Sequence, residues 1–531
     1  MYLVTRFIFI TTMLMMVEIV SAQQPGNSFL YKYVTKKRQV MKPAVTVSLF
    51  EKSSALVPPG IKKILTAQQI LTLKRDKSKA LYQSKALSIS ILLPYNDEIF
   101  ELELVQEDIR SEGFSAGKLT GKGIPEKTTA AAALHYRGYV KNHPASIASL
   151  SVFDNGEIMC LFSNENGNYN LGKTDGEKYI LYNSENMIAA LGFECGTDET
   201  SATTESNSLP VFEPLAQEVC NKVRIYWEAD YKLYNHNFEN NFSNTINYLS
   251  GLFNQVATMY LNDGIVVELS EVFVWTTPDT FTTTSSSTGL TAIRNRWNAL
   301  GNNFNGDLCM LIDGGTTNNG GRAYLLTSGI CNRNVAYGYS NVRGNFSNVP
   351  VYSWDVEVIT HETGHNMGSR HTHWCGWNTG AGGTCGAIDD CNSVETNSSC
   401  ASCSATTITN PSAPVGFKGT VMSYCHLRSG IGINLANGFG TIPKAYIQSN
   451  VGGSSCLIKQ NNWTGNSDTA WEKPANWSCG SIPTATTDVT IPTGLVNYPV
   501  IKSNAICRRL RQQTGSSVKV NPAFKLEVVG R

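Results

Sequence analysis

Three histidines and a glutamate in one short segment have the types and spacing of a metal-dependent hydrolytic centre. On a helix, His361 and His365 lie four residues apart on one face, so their imidazoles can share one Zn²⁺ ion. Gly368 permits a sharp exit from that helix, which brings His371 round as a third nitrogen ligand. Three protein ligands leave a fourth position open for water, as in catalytic zinc sites. Glu362 lies about 100° round the helix from His361, where it can act as general base on the zinc-bound water.

The length of the pattern argues against a chance match. The motif H-E-x-x-H alone occurs by chance in helices, and a lone histidine is more often a packed core residue than a ligand. Here four of the eight histidines lie within residues 361–373. The segment from His361 to His371 reads HETGHNMGSRH and matches the signature of the metzincin zinc peptidases, which the chain resembles. The resemblance implies one catalytic zinc ion and peptide-bond hydrolysis. His373, past the third ligand, is interpreted as a loop residue.

Composition and the N-terminus predict an exported protein of several domains. A chain of 531 residues should divide into about three domains, and the net charge of +1 gives no sign of nucleic-acid or anionic-membrane binding. Arg6 precedes an apolar run from Phe7 to Val20, and Ala22 offers a small-residue cleavage site, so residues 1–22 are interpreted as a secretory signal peptide. A membrane anchor is the alternative, but the run is too short to span a bilayer. No membrane span is expected in the mature, secreted protein.

The cysteines support the same compartment. Fourteen cysteines in an exported chain are expected to form disulfides, and ten of them lie from Cys220 to Cys456. Five fall in a Gly-, Asn- and Ser-rich segment between His371 and Met422, interpreted as a disulfide-stapled specificity loop near the S1′ side. A simple linker is the alternative, although a linker does not need five cysteines.

Residues 23–195 are predicted to form a β-rich first domain. The runs Leu87–Leu93 and Phe100–Val105 alternate apolar and polar residues, which is typical of half-buried strands. The stretch His135–Leu150 resembles the propeptide of reprolysin (ADAM-type) metallopeptidases, and it lies where a propeptide belongs, ahead of the catalytic residues. This reprolysin-like resemblance implies a zymogen.

Cys195, followed by Gly196, resembles the Cys-Gly cysteine switch of reprolysin propeptides. A thiolate is a strong zinc ligand, so Cys195 could fill the open fourth position and exclude the nucleophilic water. The alternative is a structural disulfide with Cys160, the other cysteine of this domain. Residues 196–214 have the composition of a linker and are the expected region of activating proteolysis.

Residues 215–458 are predicted to form an α/β (α+β) metzincin domain with a mixed, mostly parallel sheet. The pattern alternates strands and helices, which favours that architecture. The predicted strands are Lys222–Asp230, Val266–Trp275 and Asp307–Ile312, and the predicted helices are Tyr231–Tyr260, Leu290–Leu300 and the metal-binding Trp354–Met367.

Further residues are assigned through the family resemblance. Gly321, Ala323 and Tyr324 resemble the Gly-x-Ala-Tyr edge strand that in metzincins runs antiparallel to bound peptide; an ordinary core strand is the alternative. Met422 matches the methionine turn beneath the zinc. Tyr424 matches the tyrosine of the serralysin and astacin branches, whose hydroxyl could stabilise the oxyanion; packing is its alternative role.

Two more positions bear on the subfamily. After the third histidine reprolysins carry Asp, astacins Glu and serralysins Pro, whereas this chain has Thr372, which leaves the subfamily open. Cys456 resembles the closing cysteine of the reprolysin domain, and the resemblance implies Cys331 as its partner.

Residues 459–531 are predicted to form a small all-β module. Trp463, Trp471 and Trp477 punctuate polar turns, and short alternating runs follow. The segment resembles β-rich repeats appended to bacterial secreted and surface proteins. Its two cysteines, Cys479 and Cys507, are expected to pair.

Together these features predict a secreted zinc endopeptidase made as a zymogen, acting on protein or peptide substrates and on no nucleic acid. The alternative is an adhesive or matrix-binding surface protein with an inactive metzincin domain, in which the C-terminal module binds a surface or matrix ligand. A zinc hydrolase acting on another bond is a third reading. The sequence gives no basis for deriving a structural Ca²⁺ ion.

Overall fold

The computed structural model describes most of the chain. The predicted signal peptide lies outside the described residues, as do residues 200–218, which comprise most of the predicted linker 196–214 and the first residues of the predicted metzincin domain. No helix among the described residues is long and apolar enough to cross a membrane. The described ranges are 28–41, 44–121, 123–128, 133–188, 195–199, 219–315, 319–327, 329–346, 349–378, 385–396, 418–428 and 430–530.

The N-terminal region, residues 28–188, is built on a ten-stranded sheet. Its helices are α1 Phe29–Val40, α2 Pro59–Lys62 and α3 Arg75–Ser84. Its strands are β1 Val45–Val47, β2 Phe50–Lys52, β3 Gln69–Leu73, β4 Ser88–Tyr95, β5 Glu98–Glu107, β6 Arg110–Thr120, β7 Ile124–Thr128, β8 Leu134–Val140, β9 Ile147–Val152, β10 Ile158–Asn164, β11 Gly167–Asp175 and β12 Lys178–Asn183. The order of strands in the sheet is β1-β4-β5-β8-β9-β10-β11-β12-β3-β2. The two predicted alternating runs correspond to β4 and β5, and alternate side chains of both strands, such as Ile89, Ile91, Leu102 and Leu104, lie in one core.

The middle region, residues 219–457, is organised on a second sheet in which parallel pairs predominate, as the sequence predicts. Its helices are α4 Phe242–Asn262, α5 Ser286–Ala299, α6 Tyr352–Asn366 and α7 Thr441–Gly453. The strands associated with it are β13 Cys195–Glu199, β14 Asn221–Ala229, β15 Val266–Trp275, β16 Leu308–Asp313, β17 Gly321–Leu325, β18 Tyr337–Asn341, β19 Asn345–Phe346 and β20 Val349–Pro350. β14 pairs in parallel with β15 and β16, and β16 pairs in parallel with β18, whereas β17 runs antiparallel to β18.

Helix starts differ from the sequence prediction, and caps explain two of the differences. The predicted helix Tyr231–Tyr260 is divided into a π-helical turn, Leu233–Asn237, and α4, which begins at Phe242 because the Asn241 side chain accepts a hydrogen bond from the Asn244 N–H and so caps the helix there. α6 begins at Tyr352, two residues before the predicted Trp354. α5 begins before the predicted Leu290, because Ser285 and Thr288 form a reciprocal capping box.

The N-terminal region and the segment that follows it, Cys195–Glu199, add strands at the two edges of the second sheet. The hairpin β6–β7 follows β5 in the sequence but is not part of the ten-stranded sheet; β6 instead pairs in parallel with β15 of the second sheet. At the opposite edge β13 pairs with β17. Helix α4 lies between the two sheets and is buried round most of its circumference, including Asn254, whose amide donates to Ser149 Oγ at 2.9 Å. Its burial therefore depends on the N-terminal region as well as on its own sheet.

The C-terminal module stacks short strands in parallel ladders. β21 pairs with β22 and β22 with β25, while β23 pairs with β26 and β24 with β27. The chain returns to the same ladder after about twenty residues, as in a solenoid of stacked coils. The three tryptophans pack together in its core. The strands are β21 Ile458–Asn462, β22 Thr487–Ile491, β23 Val500–Ile501, β24 Ala505–Cys507, β25 Arg509–Gln512, β26 Lys519–Val520 and β27 Leu526–Val528.

A disulfide joins the middle region to the C-terminal module, and one predicted pair is wrong. Cys331 and Cys456, the pair implied by the resemblance, are bonded. Cys479 is bonded to Cys220 instead of to Cys507, which is a free thiol buried in the module core on β24. Cys479 lies at the face of the module where β21 pairs with β14, so its nearest partner belongs to the middle region. Sequence proximity within the module could not reveal that contact.

Candidate metal centre

Helix α6 and the turn after it position three imidazoles. His361 and His365 lie one turn apart on α6, and the chain leaves the helix through Met367 and Gly368. Gly368 has φ +95°, and an added Cβ would lie 2.6 Å from Asn450 Nδ2, so both backbone conformation and space require glycine here. The turn places His371 beside the two helical histidines, as the spacing predicts.

The three imidazoles meet through their Nε2 atoms. The Nε2 of His365 lies 3.1 Å from that of His361 and 3.1 Å from that of His371, and the remaining pair is 3.2 Å apart. Each Nδ1 faces an oxygen that can only accept a hydrogen bond. The Nδ1 of His361 lies 2.7 Å from Val421 O, and that of His365 lies 2.7 Å from Ser369 O. The Nδ1 of His371 lies 2.6 Å from a carboxylate oxygen of Glu395.

These contacts fix the tautomer of each of the three imidazoles, and the resulting arrangement of nitrogen atoms could hold a cation. Because each Nδ1 must carry the proton, all three Nε2 lone pairs face one another, an arrangement that is repulsive unless a positive ion lies between them. Tetrahedral Zn–N bonds of about 2.0–2.1 Å place two nitrogens roughly 3.3 Å apart, close to the separations found. Burial and the neighbouring imidazoles lower the pKa of His361 and His365, so both rings are neutral, as ligands must be.

Glu362 lies beside the three imidazoles and under the edge strand. Its carboxylate is fully buried, without a conventional hydrogen-bond donor among the described residues; the Cys195 thiol, a weak donor, lies beside it. Burial raises the pKa of Glu362, and the contact with Cys195 opposes that shift. Strand β17 passes so close that a Cβ on Gly321 would lie 2.2 Å from Glu362 Oε1. Gly321 is therefore part of the site's geometry.

Cys195 also lies beside the three imidazoles. Its Sγ lies 3.4 Å from His365 Nε2, and the sulfur and the three histidine nitrogens form one group that could hold a metal ion. Cys160 is a free, buried thiol, so the alternative Cys160–Cys195 disulfide is not formed. The strand that begins at Cys195 pairs with β17 in parallel, with Cys195 opposite Gly321.

Tyr424 holds the main chain of Cys195. Its hydroxyl donates to Cys195 O at 2.8 Å and accepts from the Cys195 N–H at 3.2 Å. The Tyr424 ring packs edge-on against His371, with centroids 4.8 Å apart. Burial raises the pKa of the Tyr424 phenol, which keeps its proton available for donation. A single side chain therefore contacts both a candidate ligand and the cysteine segment.

Met422 and Thr372 support the imidazoles from below. Met422 is fully buried, and a Cβ on Gly364 of α6 would lie 2.9 Å from its Sδ, so helix and turn are in close contact. Thr372, the residue that departs from the family pattern, donates to Met422 O from its backbone N–H at 3.0 Å and from its hydroxyl at 3.3 Å. It thus ties the segment after His371 to the methionine turn.

One comparison with known families agrees with this geometry. Residues 219–424 match the family model Reprolysin_5, described as metallo-peptidase family M12. This segment is similar to reprolysin-like metallopeptidase domains. Residues 462–531 match a family described as a domain of unknown function (DUF8693). No curated protein matches the chain. Among solved structures, metalloproteinase-II from Bacteroides fragilis aligns at 11% identity and TM-score 0.29, covering 62% of this chain and 90% of that chain. That TM-score does not establish a shared fold.

Two residues of the reprolysin-like domain reach the centre without having been predicted to do so. Glu395 Oε1 lies 2.6 Å from His371 Nδ1 and 3.2 Å from His373 Nε2. Burial raises the pKa of Glu395, but the hydrogen bonds from the two histidines outweigh it and hold that pKa below its usual range. His373 is fully buried and stacks on His371, so its interpretation as a simple loop residue understated its role. An acid in the cysteine-rich segment carried no spacing signal for this contact.

The rest of the predicted edge strand lies farther from the chemistry. Ala323 is buried opposite Gly338 of β18, and the Tyr324 hydroxyl accepts from Arg294 of α5 at 3.1 Å. Of the three predicted edge-strand residues, therefore, Gly321 is the one that the structure places against Glu362.

Proposed function

We propose that this chain is a secreted zinc endopeptidase of the metzincin class, synthesised as a zymogen. The observation that carries the proposal is the convergence of three Nε2 lone pairs, each fixed by an acceptor at Nδ1, beside a buried glutamate. His361, His365 and His371 would hold the ion, and when bound a zinc ion would supply Lewis-acid polarisation of water and of the scissile carbonyl.

The side chains around the ion divide the remaining work. Glu362 accepts a proton from the attacking water and delivers it to the leaving amine. Its burial favours that exchange, because burial raises the pKa of the carboxyl group from its ordinary value toward neutrality, where the group can both accept and release a proton. The Tyr424 hydroxyl, once free of Cys195, can donate to the oxygen that becomes negative in the transition state. Strand β17 offers its backbone to an extended peptide.

The position of Cys195 supports the zymogen part of the proposal. Its sulfur lies where a fourth ligand would lie, and the strand that begins there occupies the edge of β17 that a substrate would use. A metzincin substrate is expected to run antiparallel to that edge, whereas β13 runs parallel to it. A segment bound in reverse presents its peptide bonds to Glu362 in the wrong direction, so it blocks the site without being cleaved.

Compartment and attachment follow from the disulfides. Cys220–Cys479, Cys331–Cys456 and Cys391–Cys425 would form in an oxidising compartment, which supports secretion. The Cys220–Cys479 bond and the pairing of β21 with β14 would keep the C-terminal module on the mature domain.

Casein hydrolysis by chain that has been cleaved within residues 200–218 and freed of its N-terminal fragment, with and without a zinc chelator, tests the proposal. We expect hydrolysis that the chelator abolishes and added zinc restores. The Glu362→Gln variant should fold and bind zinc but cleave nothing, because it retains the shape of the side chain and loses the base. Hydrolysis by that variant would refute the mechanism. A processed, folded and zinc-loaded wild type that cleaves nothing would favour the adhesive alternative.

A further inference from the structure

A carboxylate from the cysteine-rich segment contacts the outer nitrogen of one candidate metal ligand. Glu395 Oε1 lies 2.6 Å from His371 Nδ1, while the corresponding nitrogens of His361 and His365 contact backbone carbonyls. We propose that Glu395 is a positioning residue of the metal centre, which fixes the tautomer and ring orientation of His371. The inference rests on the proposed zinc function and deepens it.

His371 needs such a partner more than the other two histidines do. His361 and His365 are held by helix α6, whereas His371 lies beyond the Gly368 turn. Its backbone is fixed, because the Trp377 indole N–H donates to His371 O at 2.7 Å. The orientation of the ring is a separate degree of freedom, and the contact at its outer nitrogen comes from Glu395.

The stack of rings beside His371 limits the alternatives further. His373 lies parallel to His371 with centroids 5.0 Å apart and an interplanar angle of 6°, and Glu395 Oε1 also lies 3.2 Å from His373 Nε2. If the His371 ring turned over, its unprotonated nitrogen would face the Glu395 carboxylate and the contact would become repulsive. The carboxylate therefore favours the one orientation that presents a lone pair to the metal, and its charge raises the basicity of the ligand.

Glu395 is itself held in place by backbone and covalent contacts, although its side chain is 41% exposed. Its N–H donates to His373 O at 3.0 Å, and the Cys375 N–H donates to Glu395 O at 3.0 Å. Four residues earlier, Cys391 is bonded to Cys425, which directly follows Tyr424. The disulfide-bearing segment thus carries a carboxylate to the metal centre in a fixed position, in addition to any contact that it makes with substrate.

The test is the rate at which zinc leaves the full-length, zinc-loaded chain for a chromophoric chelator at neutral pH. Loss of a carboxylate behind a zinc-bound histidine typically costs 10–100-fold in metal affinity, so we expect zinc transfer from Glu395→Ala to be about 10–100 times faster than from wild type. Glu395→Gln keeps an acceptor and loses the charge, so its rate should lie between the two. Ser393→Ala, an exposed position two residues away, is the matched control and should behave as wild type.

Two further measurements distinguish a role of Glu395 in positioning His371 from a role in stabilising the cysteine-rich segment. The visible spectrum of the cobalt-substituted protein should change in Glu395→Ala and stay unchanged in Ser393→Ala, because the ligand field reports the geometry of His371. The melting temperature of the metal-free protein should be the same in wild type and Glu395→Ala.

Each outcome bears on the inference. Unchanged zinc transfer and an unchanged cobalt spectrum in Glu395→Ala would overturn it, as would faster transfer matched by an equal loss of metal-free stability. If the wild type takes up no zinc, the proposed function fails together with this inference. If the wild type binds zinc and Glu395→Ala equals it, this inference alone fails.

Discussion

The hydroxyl of Tyr424 gives the most direct test of how the cysteine segment is retained. It makes two hydrogen bonds to the main chain of Cys195, donating at 2.8 Å and accepting at 3.2 Å. In Tyr424→Phe both are lost, while the ring keeps its packing against His371 and His373. The substitution therefore removes the contact with Cys195 and leaves the walls of the site in place.

The magnitude follows from the two hydrogen bonds. Each hydrogen bond contributes about 0.5–1.5 kcal/mol net. The closed state, in which Cys195 lies against His365 and Tyr424, should therefore be about 1–3 kcal/mol less stable relative to the state in which Cys195 is released. Since about 1.4 kcal/mol corresponds to a tenfold change in an equilibrium, the population with Cys195 released should rise roughly 5- to 150-fold. The strand pairing of β13 with β17 and the sulfur contact with His365 remain, so the variant should still be mostly closed.

Alkylation of the Cys195 thiol in the full-length chain measures that population. Iodoacetamide should modify Cys195 about 5–150 times faster in Tyr424→Phe than in wild type, as read by peptide mass spectrometry. Cys160, a buried free thiol, is the internal standard and should stay unmodified in both. Tyr324→Phe is the matched control, because it removes a tyrosine hydroxyl that contacts Arg294 away from Cys195. Equal alkylation of Cys195 in Tyr424→Phe and wild type would refute the reasoning.

Three further predictions concern other parts of the chain. In Gly321→Ala the new Cβ would lie 2.2 Å from Glu362 Oε1, so kcat/KM of the processed enzyme should fall about 100-fold with zinc content unchanged; wild-type activity would contradict this. After proteolytic nicking within residues 463–478, the fragments should separate on a gel only under reduction, whereas in Cys479→Ser they should separate without it, because Cys220–Cys479 is the covalent link. Burial lowers the pKa of His135 to about 3 from 6.5, so the unfolded chain binds a proton that the folded chain does not. The contribution of His135 to stability in urea should therefore fall by about 1.4 kcal/mol for each pH unit below about 6.5, so stability should depend less steeply on pH in His135→Gln than in wild type. Equal slopes in the two proteins would contradict this explanation.

The sequence predicts the core of the metal centre because its geometry is local. Two histidines one helical turn apart must share a face, and a glycine at the helix end permits the turn that returns His371. The mixed sheet was also predictable, since alternating strands and helices favour parallel pairing. Helix starts were less accurate, because caps such as Asn241 are short signals within a polar stretch.

Contacts between distant segments were not predictable from spacing. Glu395 meets His371 through a segment whose path depends on disulfides and backbone bridges, and nothing in its local sequence marks the meeting point. Cys479 pairs with Cys220, 259 residues away, because the module packs against β14. Likewise, β6 pairs with β15 of the second sheet, a contact between the N-terminal and middle regions that no local pattern in the sequence indicates.

The position of Cys195 depends on contacts with several elements, which the position of this residue in the sequence does not reveal. Three separate contacts hold it: the sulfur at His365 Nε2, the main chain at Tyr424, and the strand register opposite Gly321. The partners come from helix α6, the methionine turn and strand β17, which are brought together only by the folded sheet. Under the proposed zymogen mechanism, a thiol held by the metal alone could exchange with water, whereas the backbone hydrogen bonds would return the sulfur to the same position after each dissociation. Cleavage of the chain beyond residue 199 would remove none of these three contacts, so activation as proposed also requires the N-terminal fragment to dissociate before a substrate can reach Glu362.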